Sequence, residues 1–289
     1  MTSYRIVLVM LTTCAIHAWC GQSYPATGLV LKTDPLRRTI LVSCDTIPGY
    51  MDAMTMNLLV RDVRALSGLT PGVTVDFTLA VGTKSSYAES IRIRAFQNLG
   101  QQALAARRLK LIDELDESTL SATNQLHMGE QVPHILLVDQ DRNQIDVGGL
   151  AGKVVLMSFV YTHCPLPDYC FRLSNNLANV RRRFAARMGR DLILLSVTFD
   201  PLHDQPEVLA DYARTWKADS NWHFLTGEAI TVRRVCKMFG VDSWPDEAEL
   251  MHSLHTVVID RQGRLAANLE GNQFTARQLG DLVETVLDQ

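Results

Sequence analysis

The sequence of 289 residues predicts a small all-β barrel followed by a larger α/β domain. Between residues 28 and 95, five short apolar segments are separated by turns that contain Pro or Gly. From about residue 129 onward, apolar segments with strand character alternate with segments whose apolar residues recur at helical spacing. A chain of this length has room for about two domains, each with its own core.

The five segments of the first region predict five strands that close into a barrel, because closure removes exposed sheet edges. The predicted strands cover residues 28–32, 39–43, 54–60, 73–79 and 90–94. After them, apolar residues at helical spacing over 101–117 predict an amphipathic connector helix, and a polar stretch over 118–127 predicts a linker.

In the second region, the continuous apolar run over 153–161 predicts a strand that is buried on both faces. The remaining strands are predicted over 192–199, near His223, and over 253–259 and 264–269. Helices are predicted over 171–188, 206–217 and 231–239, and from Thr275 to the end of the chain. For the helix over 206–217, Asp204 is predicted as the N-cap and Glu207 as its capping-box partner.

The N-terminal segment is typical of a secretory signal. Arg5 precedes an apolar run over 6–16, which is too short to span a bilayer but fits the core of an export signal. We expect the signal to cover residues 1–20, with a lipidated Cys20 or a first strand or helix of the barrel as alternatives. The formal net charge of −3 gives no indication of a nucleic-acid partner.

Two thiols, Cys164 and Cys170, follow the apolar run and open a predicted helix. Functional sites in open α/β sheets lie at the carboxyl ends of strands, and a helix N-terminus favours a thiolate. Five residues separate the two cysteines, and a distant imidazole, His252, could complete a set of two sulfurs and one nitrogen. Such a pair can hold copper, exchange disulfides or close an inert structural disulfide.

A second group of soft donors lies in the predicted barrel. Met54 and Met56 alternate along one strand and therefore share a face, Cys44 lies on the preceding strand, and Met51 lies in the connection between them. Thioether and thiolate sulfurs suit Cu(I). The alternative is that the methionines fill the barrel core. Cys236, between apolar neighbours in a predicted helix, is expected to be a buried residue without chemistry.

Residues from about 129 to 289 resemble the Sco/SenC family of thioredoxin-like copper chaperones for cytochrome oxidase assembly. The resemblance lies in three segments, which are Tyr161-Thr-His-Cys164-Pro, the stretch from Phe199 to Pro206, and His252-Ser ahead of the turn from Asp260 to Gly263. It implies that copper is bound by Cys164, Cys170 and His252. The chain departs from the family pattern because the family has three residues between its cysteines and a proline after the second.

His255 is the competing imidazole in this region. On one strand, residues three apart lie on opposite faces, so His252 and His255 are not both expected to reach one metal ion. The spacing between histidine and turn in the Sco/SenC family selects His252.

Residues from about 28 to 96 resemble the CusF-like periplasmic copper-binding domain, an OB-like barrel. Its signature is a metal-binding histidine, a tryptophan over the ion and a strand with two methionines, which Met54 and Met56 match. Cys44 stands at the position of the histidine and Met51 at the position of the tryptophan. The resemblance implies a Cu(I) site formed by Cys44, Met51, Met54 and Met56.

The predicted organisation is a signal over 1–20, a CusF-like barrel over 28–97, a connector over 98–127 and a thioredoxin-like Sco/SenC domain over 128–289. We expect a periplasmic metallochaperone, with a possible membrane anchor at its N-terminus, that binds Cu(I) or Cu(II). Its expected partners are the copper-site subunit of cytochrome c oxidase and periplasmic copper donors or thiol–disulfide reductants. The alternatives are a thiol–disulfide oxidoreductase with Cys164 and Cys170 as its redox pair, and a protein that sequesters copper for tolerance.

Overall fold

The computed structural model describes residues 22–95, 125–164, 167–241, 243–246 and 249–289. For residues 167–168, 243–246 and 249–252 it describes the backbone alone. The predicted signal and the predicted connector helix lie outside the described residues. Within the described part of the chain, no helix has the length and apolar character needed to cross a membrane.

The first domain is a closed five-stranded barrel, which confirms the predicted fold class. Its strands follow the order β1-β2-β3-β5-β4 around the barrel, with β3 and β5 parallel and all other neighbours antiparallel. Their bounds are β1 Gln22–Asp34, β2 Thr39–Cys44, β3 Thr55–Val60, β4 Thr74–Val81 and β5 Ser86–Ile93.

Strand β1 is longer than predicted because it pairs twice. Its first half pairs with β4 and its second half pairs with β2, and the two pairings overlap at Gly28 and Leu29. Gly28 lies where β2 comes closest, and a Cβ atom there would lie 2.5 Å from Val42 Cγ1 and 2.7 Å from the Ser43 carbonyl oxygen. The close approach of β1 and β2 therefore requires glycine at this position.

The second domain is a seven-stranded sheet flanked by helices, as the alternation of the sequence predicts. The strand order is β14-β13-β8-β9-β10-β6-β7, in which β8, β9 and β10 are parallel. The strands are β6 Leu136–Asp139, β7 Gln144–Asp146, β8 Val154–Val160, β9 Leu192–Thr198, β10 Trp222–Thr226, β13 His255–Ile259 and β14 Leu265–Glu270. The helices are α1 Arg172–Arg183, α2 Pro206–Thr215, α3 Ala229–Met238 and α4 Ala276–Leu287.

Strands β8 and β9 form the centre of this domain, and every residue of both is buried. Side chains on one face of the sheet pack with α1, α2 and α4, and those on the other face pack with α3. The prediction that the apolar run forms a strand buried on both faces is confirmed. The hairpin of β6 and β7 was not predicted, because its strands have only four and three residues.

A two-stranded sheet of β11 Ser243–Asp246 and β12 Glu249–His252 precedes β13. The prediction that His252 and His255 share one strand is wrong, because β12 ends at His252 and β13 begins at His255.

The barrel and the α/β domain share a hydrophobic core. Leu29 and Leu31 point out of the barrel and pack in one cluster with apolar residues of α4, among them Leu282 and Val286, whereas Ala26 and Val30 point into the barrel. Leu29 and Leu31 are fully buried. Strand β1 therefore has two buried faces, one in each domain.

We expect Gly28→Ala to destabilise the protein by roughly 1–3 kcal/mol, because the new methyl group pushes β1 away from a β-branched side chain and a backbone carbonyl. Gly227→Ala is the matched control, since its Cβ would meet the end of the flexible Leu137 side chain at 3.1 Å and Val232 Cγ2 at an ordinary contact distance of 3.9 Å. Thermal unfolding of the two variants measures the difference. An equal loss of stability in both would show that the approach of β1 to β2 is not tight.

Candidate metal sites

The two predicted thiols of the α/β domain lie together at the carboxyl end of β8. Cys170 is buried and Cys164 is half-buried, and both pack against the core that contains α3. A hydrogen bond with Cys164, together with burial, raises the pKa of the Cys170 thiol well above its ordinary value. The two sulfurs are close enough to bind one ion, in spite of the five residues between them.

A wide helical turn takes up the extra residues between the cysteines. It covers Pro167–Phe171, is broken at Tyr169 (φ −107°, ψ −105°), and runs directly into α1. Wide turns of this kind are frequent at functional sites, because they add a residue without ending the helix. The longer spacing therefore enlarges the loop and still brings Cys170 back to Cys164.

The carboxylate of Asp204 fixes the loop that leads into Cys164. Asp204 is fully buried and accepts hydrogen bonds from Thr162 N (3.1 Å), Thr162 Oγ1 (2.6 Å) and Thr198 Oγ1 (2.6 Å). The prediction of Asp204 as the N-cap of α2 is wrong, because Gln205 occupies the N-cap position and makes no side-chain cap bond. Glu207, predicted to complete the capping box, instead pairs with Arg142.

His252 can be located through the strand register. Strand β13 is antiparallel to β8, with Thr256 opposite Ser158, so β13 begins at the sheet edge where β8 ends. His252 precedes β13 by three residues and Cys164 follows β8 by four, which brings both backbone segments to the same edge. Among the side chains that the structure describes, which exclude that of His252, no three His, Cys, Asp or Glu residues form a group able to hold a metal ion.

His255 is engaged elsewhere. It is buried, and its Nδ1 hydrogen-bonds Asn268 Oδ1 at 2.8 Å, while Asn268 Nδ2 donates to the Phe239 carbonyl at 2.9 Å. His252 and His255 lie on different strands, so their orientations cannot be compared as opposite faces of one strand. The hydrogen bonds of His255 supply a better reason to prefer His252.

The second group of soft donors lies at one end of the barrel. The Cys44 amide donates to the Met54 carbonyl at 2.9 Å, and Val42 pairs with Met56, so the three sulfur-bearing residues lie along adjacent strands. Cys44 is buried in the barrel core, Met51 and Met56 pack against that core, and Met54 is 50% exposed. The exposed Met54 is therefore not a core side chain, whereas Met51 and Met56 contribute to the packing of the barrel core.

Burial raises the pKa of the Cys44 thiol to about 12, and the nearby Arg277 guanidinium lowers it to a smaller extent. The thiol is therefore protonated at neutral pH, and a metal ion that binds there must displace its proton. An aromatic pair lies in the same part of the barrel, where Tyr24 stacks on Tyr50 with ring centroids 4.0 Å apart. Sequence reasoning missed this pair, because residues 24 and 50 are adjacent only in the closed barrel.

Residues 126–288 match the family model described as SCO1/SenC, which covers more than half of the chain. The chain belongs to the SCO1/SenC family. Residues 23–92 match the model of the copper binding periplasmic protein CusF. The predicted fusion of the two units is thus confirmed, and so is the expectation of copper, since the barrel matches a copper-binding family.

Relatives of this SCO1/SenC chain align with its α/β domain. The SCO2-like protein RT0576 of Rickettsia typhi is 29% identical over 135 residues, which cover 44% of this chain and 64% of the relative. A putative copper-binding protein of Stutzerimonas stutzeri is 27% identical over 146 residues, 48% of this chain and 68% of the relative. The chain therefore spans less than two thirds of the length of the rickettsial protein.

The α/β domain is similar to solved structures, one of which has a TM-score of 0.50. A putative electron transfer protein of Aquifex aeolicus has a TM-score of 0.50 at 20% identity and covers 55% of this chain and 94% of its own. Yeast Sco1 with copper bound has a TM-score of 0.48 at 24% identity and covers 57% of this chain and 90% of its own.

In the SCO1/SenC chain, we expect Cys164 to react first with an alkylating reagent under reducing, native conditions. Cys44, Cys170 and Cys236 are each at most 2% exposed, and burial raises the pKa of the Cys236 thiol to about 12. Mass spectrometry after brief treatment with iodoacetamide measures the order. Unfolding in guanidinium is the control, because it should make these four described thiols react alike. Early labelling of Cys170 would contradict the described loop.

Proposed function

We propose that the protein is a periplasmic copper metallochaperone that delivers copper for the assembly of cytochrome c oxidase. The observation that carries the proposal is the contact between Cys164 and Cys170 at the sheet edge to which the register brings His252. Two thiolates and one imidazole are a soft donor set that suits copper. A second soft cluster in the barrel of the same chain gives the copper a point of entry.

The unequal exposure of the two thiols supports delivery. Cys164 is half-buried and Cys170 is buried. An incoming thiol of a partner can therefore reach copper from the side of Cys164, while Cys170 retains its bond until the exchange is complete. The proposed partner is the copper-site subunit of the oxidase, whose cysteines would take the ion by such an exchange.

The barrel is the proposed acceptor of Cu(I) from periplasmic donors. Met54 is half exposed and can meet an incoming ion, and Cys44 lies deeper, where it can hold the ion more firmly. Thioether sulfur binds harder ions poorly, so this site selects Cu(I) over Zn(II).

A thiol–disulfide oxidoreductase is the second candidate function. The half-buried Cys164 would be the nucleophile and the buried Cys170 the resolving thiol, which is the order of access that thiol exchange requires. The raised pKa of the buried Cys170 thiol fits the resolving role, because in such pairs it is the attacking thiol that has to ionise first. Copper sequestration without a partner would use the same donors, and an in-cell test separates it from delivery.

We expect His252→Ala to weaken copper binding by the α/β domain by at least tenfold, because one of three ligands is lost. Cys164→Ser and Cys170→Ser should each abolish tight binding. His255→Ala is the matched control and should leave the affinity unchanged, since its imidazole is bound to Asn268. Anaerobic copper titration of the reduced full chain, with Met54 and Met56 replaced by Leu to silence the barrel, measures these affinities.

The same histidine variants test delivery in cells grown at limiting copper. A chaperone requires the copper ligand, so the His252→Ala strain should lose oxidase activity and the His255→Ala strain should keep it. An oxidoreductase would tolerate His252→Ala and fail with Cys164→Ser even in excess copper. Full oxidase assembly in the His252→Ala strain would therefore refute the chaperone proposal, and normal assembly with lost copper tolerance would indicate sequestration.

We expect the double variant Met54→Leu and Met56→Leu to lose Cu(I) binding at the barrel and to keep its fold, because Leu and Met have similar volumes. Cys164→Ser and Cys170→Ser in the background confine the measurement to the barrel. Competition with a chromophoric Cu(I) chelator gives the affinity, and a parallel titration with Zn(II) should show no tight binding in either protein. Unchanged Cu(I) affinity in the double variant would return both methionines to the barrel core.

A further inference from the structure

The first turn of α4 lies against the outside of strand β2, at the residue where the barrel holds its cysteine. Arg277 Nη2 donates to the Cys44 carbonyl at 2.5 Å, and Arg277 Nη1 donates to Ser43 Oγ at 3.0 Å. Gln278 Nε2 donates to the Ser43 carbonyl at 3.2 Å and to Asp45 Oδ1 at 3.0 Å. Helix α4 belongs to the α/β domain, so these bonds join the two domains at the proposed Cu(I) ligand.

The guanidinium of Arg277 is held in a fixed orientation. Asp281, one turn further along α4, accepts from Arg277 Nη1 at 2.9 Å and from Arg183 Nη1 at 2.7 Å. The same carboxylate accepts from Ser43 Oγ at 2.7 Å and from Thr55 Oγ1 at 3.2 Å, which tether β2 and β3. Charge-assisted bonds with fixed geometry are stronger than ordinary hydrogen bonds.

The helix turn that presents these side chains is itself braced. Thr275 and Gln278 form a capping box at the N-terminus of α4, in which each side chain bonds the backbone of the other. The loop before it is tied to α1, since Asn176 Nδ2 donates to the Phe274 carbonyl at 3.4 Å. The backbone at Arg277 is therefore held in place by contacts within the α/β domain.

The amide and the carbonyl of Cys44 are therefore each held by a hydrogen bond, one to the barrel and one to the α/β domain. Its amide bonds the Met54 carbonyl inside the barrel, and its carbonyl accepts from Arg277 outside the barrel. The Cys44 sulfur lies on the barrel side of this strand. A shift of the Cys44 backbone would change the distance between its sulfur and the thioethers of Met54 and Met56.

We propose that Arg277 is a positioning residue for Cu(I) binding at the barrel, so that the α/β domain completes the geometry of the copper site in the other domain. The inference rests on the proposed function, since it requires the barrel to bind Cu(I). It adds a residue that lies 233 positions from Cys44 and bonds the backbone of that ligand rather than its sulfur.

The test uses the full chain with Cys164→Ser and Cys170→Ser, so that only the barrel binds Cu(I). Arg277→Ala should weaken Cu(I) affinity about tenfold, as expected when a buried carbonyl loses a charged donor. Arg277→Lys should stay within about threefold of the parent, because an ammonium group can still donate to the Cys44 carbonyl. Competition with a chromophoric Cu(I) chelator under anaerobic conditions measures all three affinities.

Arg187→Ala is the matched control for stability. Arg187 pairs with Asp191 and with Asp288 at the far end of α4, so its loss should lower the thermal midpoint and leave Cu(I) affinity unchanged. An affinity loss in Arg187→Ala equal to that in Arg277→Ala would overturn the inference, and so would an unchanged affinity in Arg277→Ala. A parent chain that binds no Cu(I) would instead overturn the proposed function of the barrel.

Discussion

The buried carboxylate of Asp204 ties together the loops that end the two central strands of the α/β domain. Thr162 follows β8 and Thr198 ends β9, and both donate to Asp204. A buried carboxylate is tolerated only where several donors satisfy it. Because Thr162 also donates through its backbone, the peptide two residues before Cys164 is fixed in space. The segment that leads into Cys164 therefore begins from a fixed point.

The arrangement around Asp204 also affects the protonation of Cys170. The hydrogen bond with Cys164 and burial raise the pKa of the Cys170 thiol, and the negative charge of Asp204 raises it further to a smaller extent. A proton on that thiol is therefore favoured, and a metal ion that binds Cys170 would have to displace it.

The sequence was sufficient for features that depend on local pattern. Five apolar segments between turn residues predicted the barrel, the continuous apolar run predicted the buried strand β8, and Cys236 was expected in a buried helix position, where it lies. Local pattern failed where a side chain serves a distant loop. Asp204 precedes Pro206 and Glu207 as an N-cap would, but its partners Thr162 and Thr198 are brought to it only by the parallel pairing of β8 and β9.

The two histidines illustrate the same limit at closer range. Nothing between His252 and His255 marks a strand boundary by composition, and the break arises because β12 pairs with β11 while β13 pairs with β8 and β14. The contact between the domains was beyond sequence reasoning altogether. Leu29 and Leu31 alternate as in any barrel strand, and their burial against α4 depends on where the two folded units meet.

Because the two domains share this core, the barrel differs from one that folds on its own. A barrel that folds alone keeps a polar exterior, but this barrel has Leu29 and Leu31 on its outer face, where α4 covers them. Without α4, the barrel would expose Leu29 and Leu31 beside the Ser43 hydroxyl and the Cys44 carbonyl, which would both have lost their partners on α4. An exposed apolar surface of this kind promotes aggregation. The two domains are therefore not independent modules joined by a linker, because each one covers part of the other.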